Sequence, residues 1–291
     1  MSEEKNFNDK AELSWKEGYP TALRKSQLNA KKDNIPKIGR SFANIWIVFL
    51  REFKSYFASP IAYIVMTVFL VVIGWVTLSG GLTFGDFRGD FFDRGRNDLE
   101  PMFKALPWLF LFFVPAIAMR LWAEERQVGS FEILMTMPMN TTEILLGKFF
   151  GAWAFTTLML LATFPFPIVL AFLGEPDYGQ IITSYIGGIL LAGAFLSIGT
   201  FVSSLTRDQI IAFIAGIFIS GFFVLLGSQA TIEFLTKIDH TLARVAGRIA
   251  LSERFDSIAK GILDIGDMLY YIIFIGFFNY LTIISLKFKR L

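Results

Sequence analysis

The chain has 291 residues, a net charge of +2, 54% hydrophobic residues and only 18% charged ones, whereas about a quarter of a soluble domain is charged. A near-neutral balance points away from nucleic acid, and the lack of cysteine excludes disulfides, thiolate metal sites and cysteine nucleophiles. Apolar runs near the roughly 20 residues that a helix needs to cross hydrocarbon recur along the sequence, so the expected fold is all-α, one polytopic membrane domain.

Residues 1–40 are rich in Lys, Glu, Asn and Asp, lack periodicity and read as a mobile cytosolic tail rather than a signal peptide. The membrane domain then occupies 41–291. In residues 41–57, SFANIWIVFLREFKSYF, the apolar positions Phe42, Ile45, Trp46, Phe49, Phe53 and Tyr56 recur at three- and four-residue spacing. Asn44, Arg51 and Ser55 fall on the other side. This predicts an interfacial amphipathic helix with Arg51 and Lys54 near anionic lipid. The alternative, that 41–57 opens a long span, would carry those charges into hydrocarbon.

Six spans follow, at 61–79, 106–122, 144–173, 181–205, 209–226 and 268–286. Pro60 suits the first turn of the first span. The second contains Pro107 and Pro115, and FPFP at 164–167 is expected to kink or break the third. Between spans 5 and 6, two short amphipathic helices are expected, broken near Ser252 as an N-cap. Their apolar residues, including Leu235, Leu242, Val245, Phe255 and Ile258, would bury against the outer leaflet or the tops of the spans.

An even number of spans puts both termini on one side. The N-terminal region, the 2–3 loop, the 4–5 turn and the C-terminal tail hold 18 of the 27 Lys and Arg residues, which makes that side cytosolic. Several chemistries are missing from the sequence. It has no GxxxxGK[ST] phosphate loop, no His, Cys or carboxylate cluster with metal-ligand spacing, and one histidine, His240, that reads as a surface residue. No charge lies deep in spans 1 and 3–6; Arg120 and Lys148 sit at span ends and can snorkel, and Asn279 is the notable deep amide. This argues against an ion-driven pump and leaves a pore, a scaffold, or a permease driven by a separate motor.

Residues 120–148 bear on that choice. Arg120, Glu124, Glu125 and Arg126 carry both signs of charge, Gly129-Ser130 allows a turn, and residues 131–135 can form a short helix that Pro138 ends before a cap at Thr141-Thr142. An ordinary solvated loop with a salt-bridged face fits the composition as well. The run AEERQVGSFEILMTMPMNTTEILLGKFFGAWAF, however, resembles the signature of ABC type-2 permeases. Glu124, Glu125, Arg126, Gly129, Ser130, Glu132, Leu134, Pro138, Gly147 and Lys148 fall on its conserved pattern, and the likeness extends over about residues 50–285. Within that class the chain looks most like the gliding-motility-associated permeases and their relatives in non-gliding bacteria.

The resemblance implies a non-catalytic subunit, with an exporter's direction, in the bacterial inner membrane. It implies a dimer with a second permease copy or a homologue, and a separate ABC ATP-binding subunit that carries ATP and Mg; the class also includes an auxiliary periplasmic membrane protein. Glu124 through Pro138 would form or position a coupling helix that docks on the ATPase, with Trp46, Phe49, Arg51, Phe53 and Lys54 on the interfacial helix beside it. The rival readings are a non-transporting membrane scaffold and a secondary transporter or channel.

Overall fold

The computed structural model describes residues 37–79, 99–131, 139–174, 176–262 and 264–288, and all regular structure among them is helical. In chain order the helices are α1 (Lys37–Ala58), α2 (Pro60–Leu78), α3 (Glu100–Ala118), α4 (Ala123–Gln127), α5 (Thr141–Leu161) and α6 (Pro165–Leu173). They continue with α7 (Tyr178–Leu205), α8 (Gln209–Leu225), α9 (Gln229–Ile238), α10 (His240–Ile249), α11 (Leu251–Ala259) and α12 (Ile265–Phe288).

Local chemistry sets these limits. Asp177 accepts from the amides of Gly179 and Gln180 at the head of α7, and Asp208 from those of Ile210 and Ile211 at the head of α8, so each carboxylate takes up otherwise orphaned N–H groups. α5 opens with a capping box between Asn140 and Glu143; the cap is Asn140 rather than Thr141 or Thr142. The FPFP run acts as expected: α5 stops at Leu161 and α6 starts afresh at Pro165, because proline cannot donate into a helical ladder. α3 starts earlier than its apolar run, at Glu100, where Pro101 sits in the first turn and Lys104 pairs with Glu100 at 2.6 Å.

Five segments among the described residues are long and apolar enough to cross a membrane: Pro60–Leu78, Glu100–Gln127, Thr141–Phe172, Tyr178–Leu205 and Ile265–Phe288. A sixth is reached if α8 and α9, bent by 65°, count together. The contacts show how they alternate. Arg120 after α3 reaches Ser59 ahead of α2, Lys148 of α5 reaches Leu121, and Gln209 of α8 reaches Gln127. At the opposite end Gln180 of α7 bonds Ala259, Ser252 bonds Val224 at the tail of α8, and Arg254 pairs with Asp267 at the head of α12.

The segment between α8 and α12 departs from the sequence reading. Three helices form instead of two, with breaks at Asp239 and Ala250. Asp239 caps α10 by accepting from the Thr241 amide at 2.7 Å, whereas Ser252 lies inside α11 and donates to the Val224 carbonyl. Only α11 turns its apolar face onto the tops of the spans, burying Leu251, Phe255 and Ile258; Phe234, Leu242 and Val245 of α9 and α10 remain exposed.

The hub is α7, the most buried candidate span at 78%, which packs on α3, α5, α8, α11 and α12. Its small residues explain this. A Cβ at Gly187, Gly188, Gly193 or Gly199 would lie within 2.4–2.8 Å of Ile258, Leu160, Ile275 or Ala118, each on a different helix, so the absence of side chains on several faces lets four neighbours close in. Ser197, Thr200 and Ser204 return their hydroxyls to carbonyls of the preceding turn, leaving no polar atom of these three facing hydrocarbon. Gly199→Val is therefore expected to overpack the α3–α7 contact and destabilise the protein by about 1–3 kcal/mol. Gly276→Ala, where an added Cβ meets nothing within 4 Å, is expected to leave the melting temperature unchanged or higher. Thermal unfolding of the two variants in detergent checks the contrast.

Candidate functional site

Between α3 and α4 the chain passes through turns at residues 119–122, and a cleft of about 390 Å³ opens there between α1, α4 and the start of α5. Its floor is Lys148. Sequence position alone put this lysine at a span end, free to snorkel, but it is 2% exposed. Its Nζ lies 2.8 Å from Glu125 and 3.5 Å from Glu52, donates to the Leu121 carbonyl at 3.0 Å and sits 5.2 Å from the Trp122 ring centroid. Two carboxylates, a carbonyl and an aromatic face together replace the water that a buried ammonium loses.

Most of the neighbouring charges are also paired; Arg126 has no carboxylate and keeps one buried nitrogen, Nη2, without a partner among the described residues. Arg120 holds Glu124 at 2.8 Å and donates to Ser59 Oγ at 2.8 Å, and Arg51 stands 4.0 Å from Glu125. Arg126 stacks over Phe131 at 4.7 Å and donates to the Thr206 carbonyl at 3.4 Å. Tyr56 closes the cleft behind these groups, stacked on Phe155 at 4.7 Å. Burial, then the Glu52 carboxylate, pushes its phenol well above its ordinary range. The Tyr56 hydroxyl and Glu125 Oε2 are buried without a partner among the described residues.

Gly129 has φ +78°, a left-handed conformation that glycine adopts without steric cost, and it turns the chain after α4 as the sequence predicted. Ser130 closes that turn by donating to the Glu125 carbonyl at 3.3 Å. Glu132, Leu134 and Pro138 lie outside the described residues, as does the short helix expected over 131–135 apart from Phe131.

The N-terminal helix is placed by the same region. α1 runs beside α5 in the same direction, with Ser41 and Asn44 donating to Glu143 at 2.6 and 2.8 Å, Val48 over Gly147, and Glu52 against Gly151. A Cβ at Gly147 would come within 2.6 Å of Val48 and 2.9 Å of the Ile45 carbonyl, so this crossing requires glycine. Asn44 thus belongs to the packed face, contrary to the sequence reading. Trp46 is exposed, while Phe49 and Phe53 stack in series with it along an apolar groove against Phe150 and Trp153 of α5. Lys54 is exposed.

Of the residues the sequence reading named, Arg51, Glu124, Glu125 and Ser130 line this cleft, Gly129 turns the chain beside it and Arg126 faces Thr206 instead; the reading missed Glu52, Glu143 and the burial of Lys148. The GKFFG run at 147–151 was the available signal, because small residues four apart on an apolar helix mark a close helical neighbour. Lys148→Met is expected to destabilise the protein by about 1–3 kcal/mol, since it removes the partner that Glu52 and Glu125 share, leaves Glu125 only its longer contact to Arg51, and strips the Leu121 carbonyl of its donor. Adding Glu125→Gln should recover part of the loss, and a double-mutant cycle on thermal unfolding measures the coupling.

The comparisons with known proteins bear on this arrangement. No curated protein matches the chain. A protein-family model described as ABC-2 family transporter protein matches residues 102–250, from the first turn of α3 through the end of α10 and so including α4, the cleft's Lys148 and the hub helix α7. That match spans just over half of the sequence, and the chain belongs to the ABC-2 transporter family.

Proposed function

We propose that this chain is the permease subunit of an ATP-driven exporter, in which a separate ATPase subunit hydrolyses ATP and the segment from Arg120 to Pro138 receives the resulting motion. One observation carries the reading: the described part of that segment is tied to four membrane-domain helices. Glu125 is tied to α5 through Lys148 and faces Arg51 of α1, Ser203 of α7 holds the amides of Trp122 and Ala123, and Gln127 meets Gln209 of α8. A loop with only a solvated face has no need of such anchorage. A segment that must pass force into a bundle has to be held by several of its members.

In this reading Glu124, Glu125, Arg126, Gly129, Ser130, Glu132, Leu134 and Pro138 form or position the coupling helix. α1 braces it from beside the first turns of α5, with Trp46, Phe49 and Phe53 along its apolar side, Arg51 facing Glu125 and Lys54 exposed. Both termini face the cytosol across the bacterial inner membrane. Two permease copies, or this chain and a homologue, enclose the path, and ATP and Mg sit on the partner chain. The motif resemblance favours the gliding-motility-associated branch, with its auxiliary periplasmic protein as a further partner. The apolar spans favour a lipid-like or amphipathic cargo.

The test is a pull-down from native membrane in mild detergent, with mass spectrometry and an ATPase assay on the eluate. An ATP-binding subunit near 1:1, whose activity is no longer stimulated by the permease when it carries Glu132→Lys, is the expected result. A preparation that keeps other complexes intact but yields no such subunit would replace the permease with a scaffold. Unchanged stimulation in the variant would remove Glu132 from the coupling role.

A further inference from the structure

The break between α3 and α4 has its own chemistry. In an uninterrupted helix the amides of Trp122 and Ala123 would bond the carbonyls of Ala118 and Met119. Here the Ala118 carbonyl accepts from Leu121 at 3.1 Å, and the displaced groups turn to one side chain. Ser203 Oγ, fully buried on α7, accepts from the Trp122 and Ala123 amides at 3.1 Å each and donates to the Met119 carbonyl at 2.9 Å. A hydroxyl offers one donor and two acceptor positions, and all of them are used at this break. One turn back along α7, Gly199 lies against Ala118, the last residue of α3. Beyond the break, Arg126 and Gln127 fasten α4 to Thr206 and Gln209, at the tail of α7 and the head of α8.

We propose that Ser203 is a positioning residue, the pin of a hinge through which movement of the cytosolic segment is handed to α3. The inference rests on the permease reading above. Three bonds that converge on one oxygen act as a ball joint. α4 can tilt about that atom with little change in their lengths, whereas the ladder bonds of a continuous helix are spread along its axis and would rupture under the same tilt. The Gly199–Ala118 contact supplies the fulcrum, since no side chain intervenes to cushion it. A plain hydrophobic residue at 203 would fill the space but leave two amides and a carbonyl unsatisfied, so the break would be free to re-form elsewhere.

Because the chain has no cysteine, spin labels can be placed at chosen pairs in the assembled transporter, with its ATPase subunit, in lipid nanodiscs. Ala43 and Val128 are both exposed and report on the cytosolic segment against α1. Lys104 and Phe172 report on the far end of α3 against the far end of α6. Distances are measured with and without ATP plus vanadate. In the native chain both pairs are expected to shift. With Ser203→Val the Ala43–Val128 shift should persist and the Lys104–Phe172 shift should be lost. Ser203→Thr, of the same shape but with the hydroxyl, should restore it, which a purely space-filling role would not do. Should the valine variant fail to assemble, Ser203→Ala is read in the same way. Both shifts retained without the hydroxyl, or both lost together, would overturn the hinge. Neither pair moving in the native complex would instead sink the permease reading, and this inference with it.

Discussion

Hydrocarbon offers no hydrogen bonds, so a break in a membrane helix must find its partners in neighbouring side chains. The junction between α3 and α4 meets this constraint with two residues from two different spans, Ser203 of α7 and Lys148 of α5. Most of the charged architecture follows from it. Lys148 must be buried to reach the Leu121 carbonyl, a buried ammonium needs carboxylates, and Glu125 and Glu52 supply them from α4 and α1. The position of α1 is thereby linked to the break.

The same economy of space governs the apolar core. α7 is surrounded because it carries so little side chain where its neighbours cross, and its hydroxyls are taken up by its own backbone, by the α3–α4 break, or by neighbours such as the Ala259 carbonyl and Thr163. The outward faces of α2, α8 and α12 keep their large residues, among them Trp75, Phe218 and Ile273, as expected of surfaces that meet lipid. The core is therefore held by close backbone approach at the centre, with bulk pushed to the rim.

Five of the six expected spans were legible from the sequence because length and apolarity are local properties, whereas the one at 209–226 reaches crossing length only if α8 and α9 count together; FPFP announced the break between α5 and α6 because proline's missing N–H is local too. The turn at Gly129-Ser130 was legible for the same reason, although the left-handed backbone of Gly129 and the short helix α4 before it were not. What could not be read was pairing across about 100 residues. Glu143 looks like a capping residue and is one, but its bonds to Ser41 and Asn44 depend on where α1 lies. Lys148 reads as a snorkelling lysine until Glu52 is known to face it. Ser203 is one small residue among many on α7, and only the backbone of a helix 80 residues away gives it a role. Near α9–α11 the error was different in kind: the break at Ala250 lies two residues from the one expected at Ser252, whose hydroxyl is drawn to the Val224 carbonyl instead of capping, while the additional break at Asp239 was not foreseen.

The α1–α5 contact also bears on biogenesis. Ser41 and Glu143 are separated by 102 residues, so α1 leaves the ribosome long before the helix that will hold it exists. During that interval Glu52 and Asn44 have no partner, and a segment committed to hydrocarbon would have to bury them bare. An amphipathic helix can wait at the membrane surface, its aromatic edge in lipid and its polar edge in water. Insertion of α5 then presents Gly147 and Glu143 together. The mixed character of α1 is thus a property of the nascent chain as much as of the finished bundle.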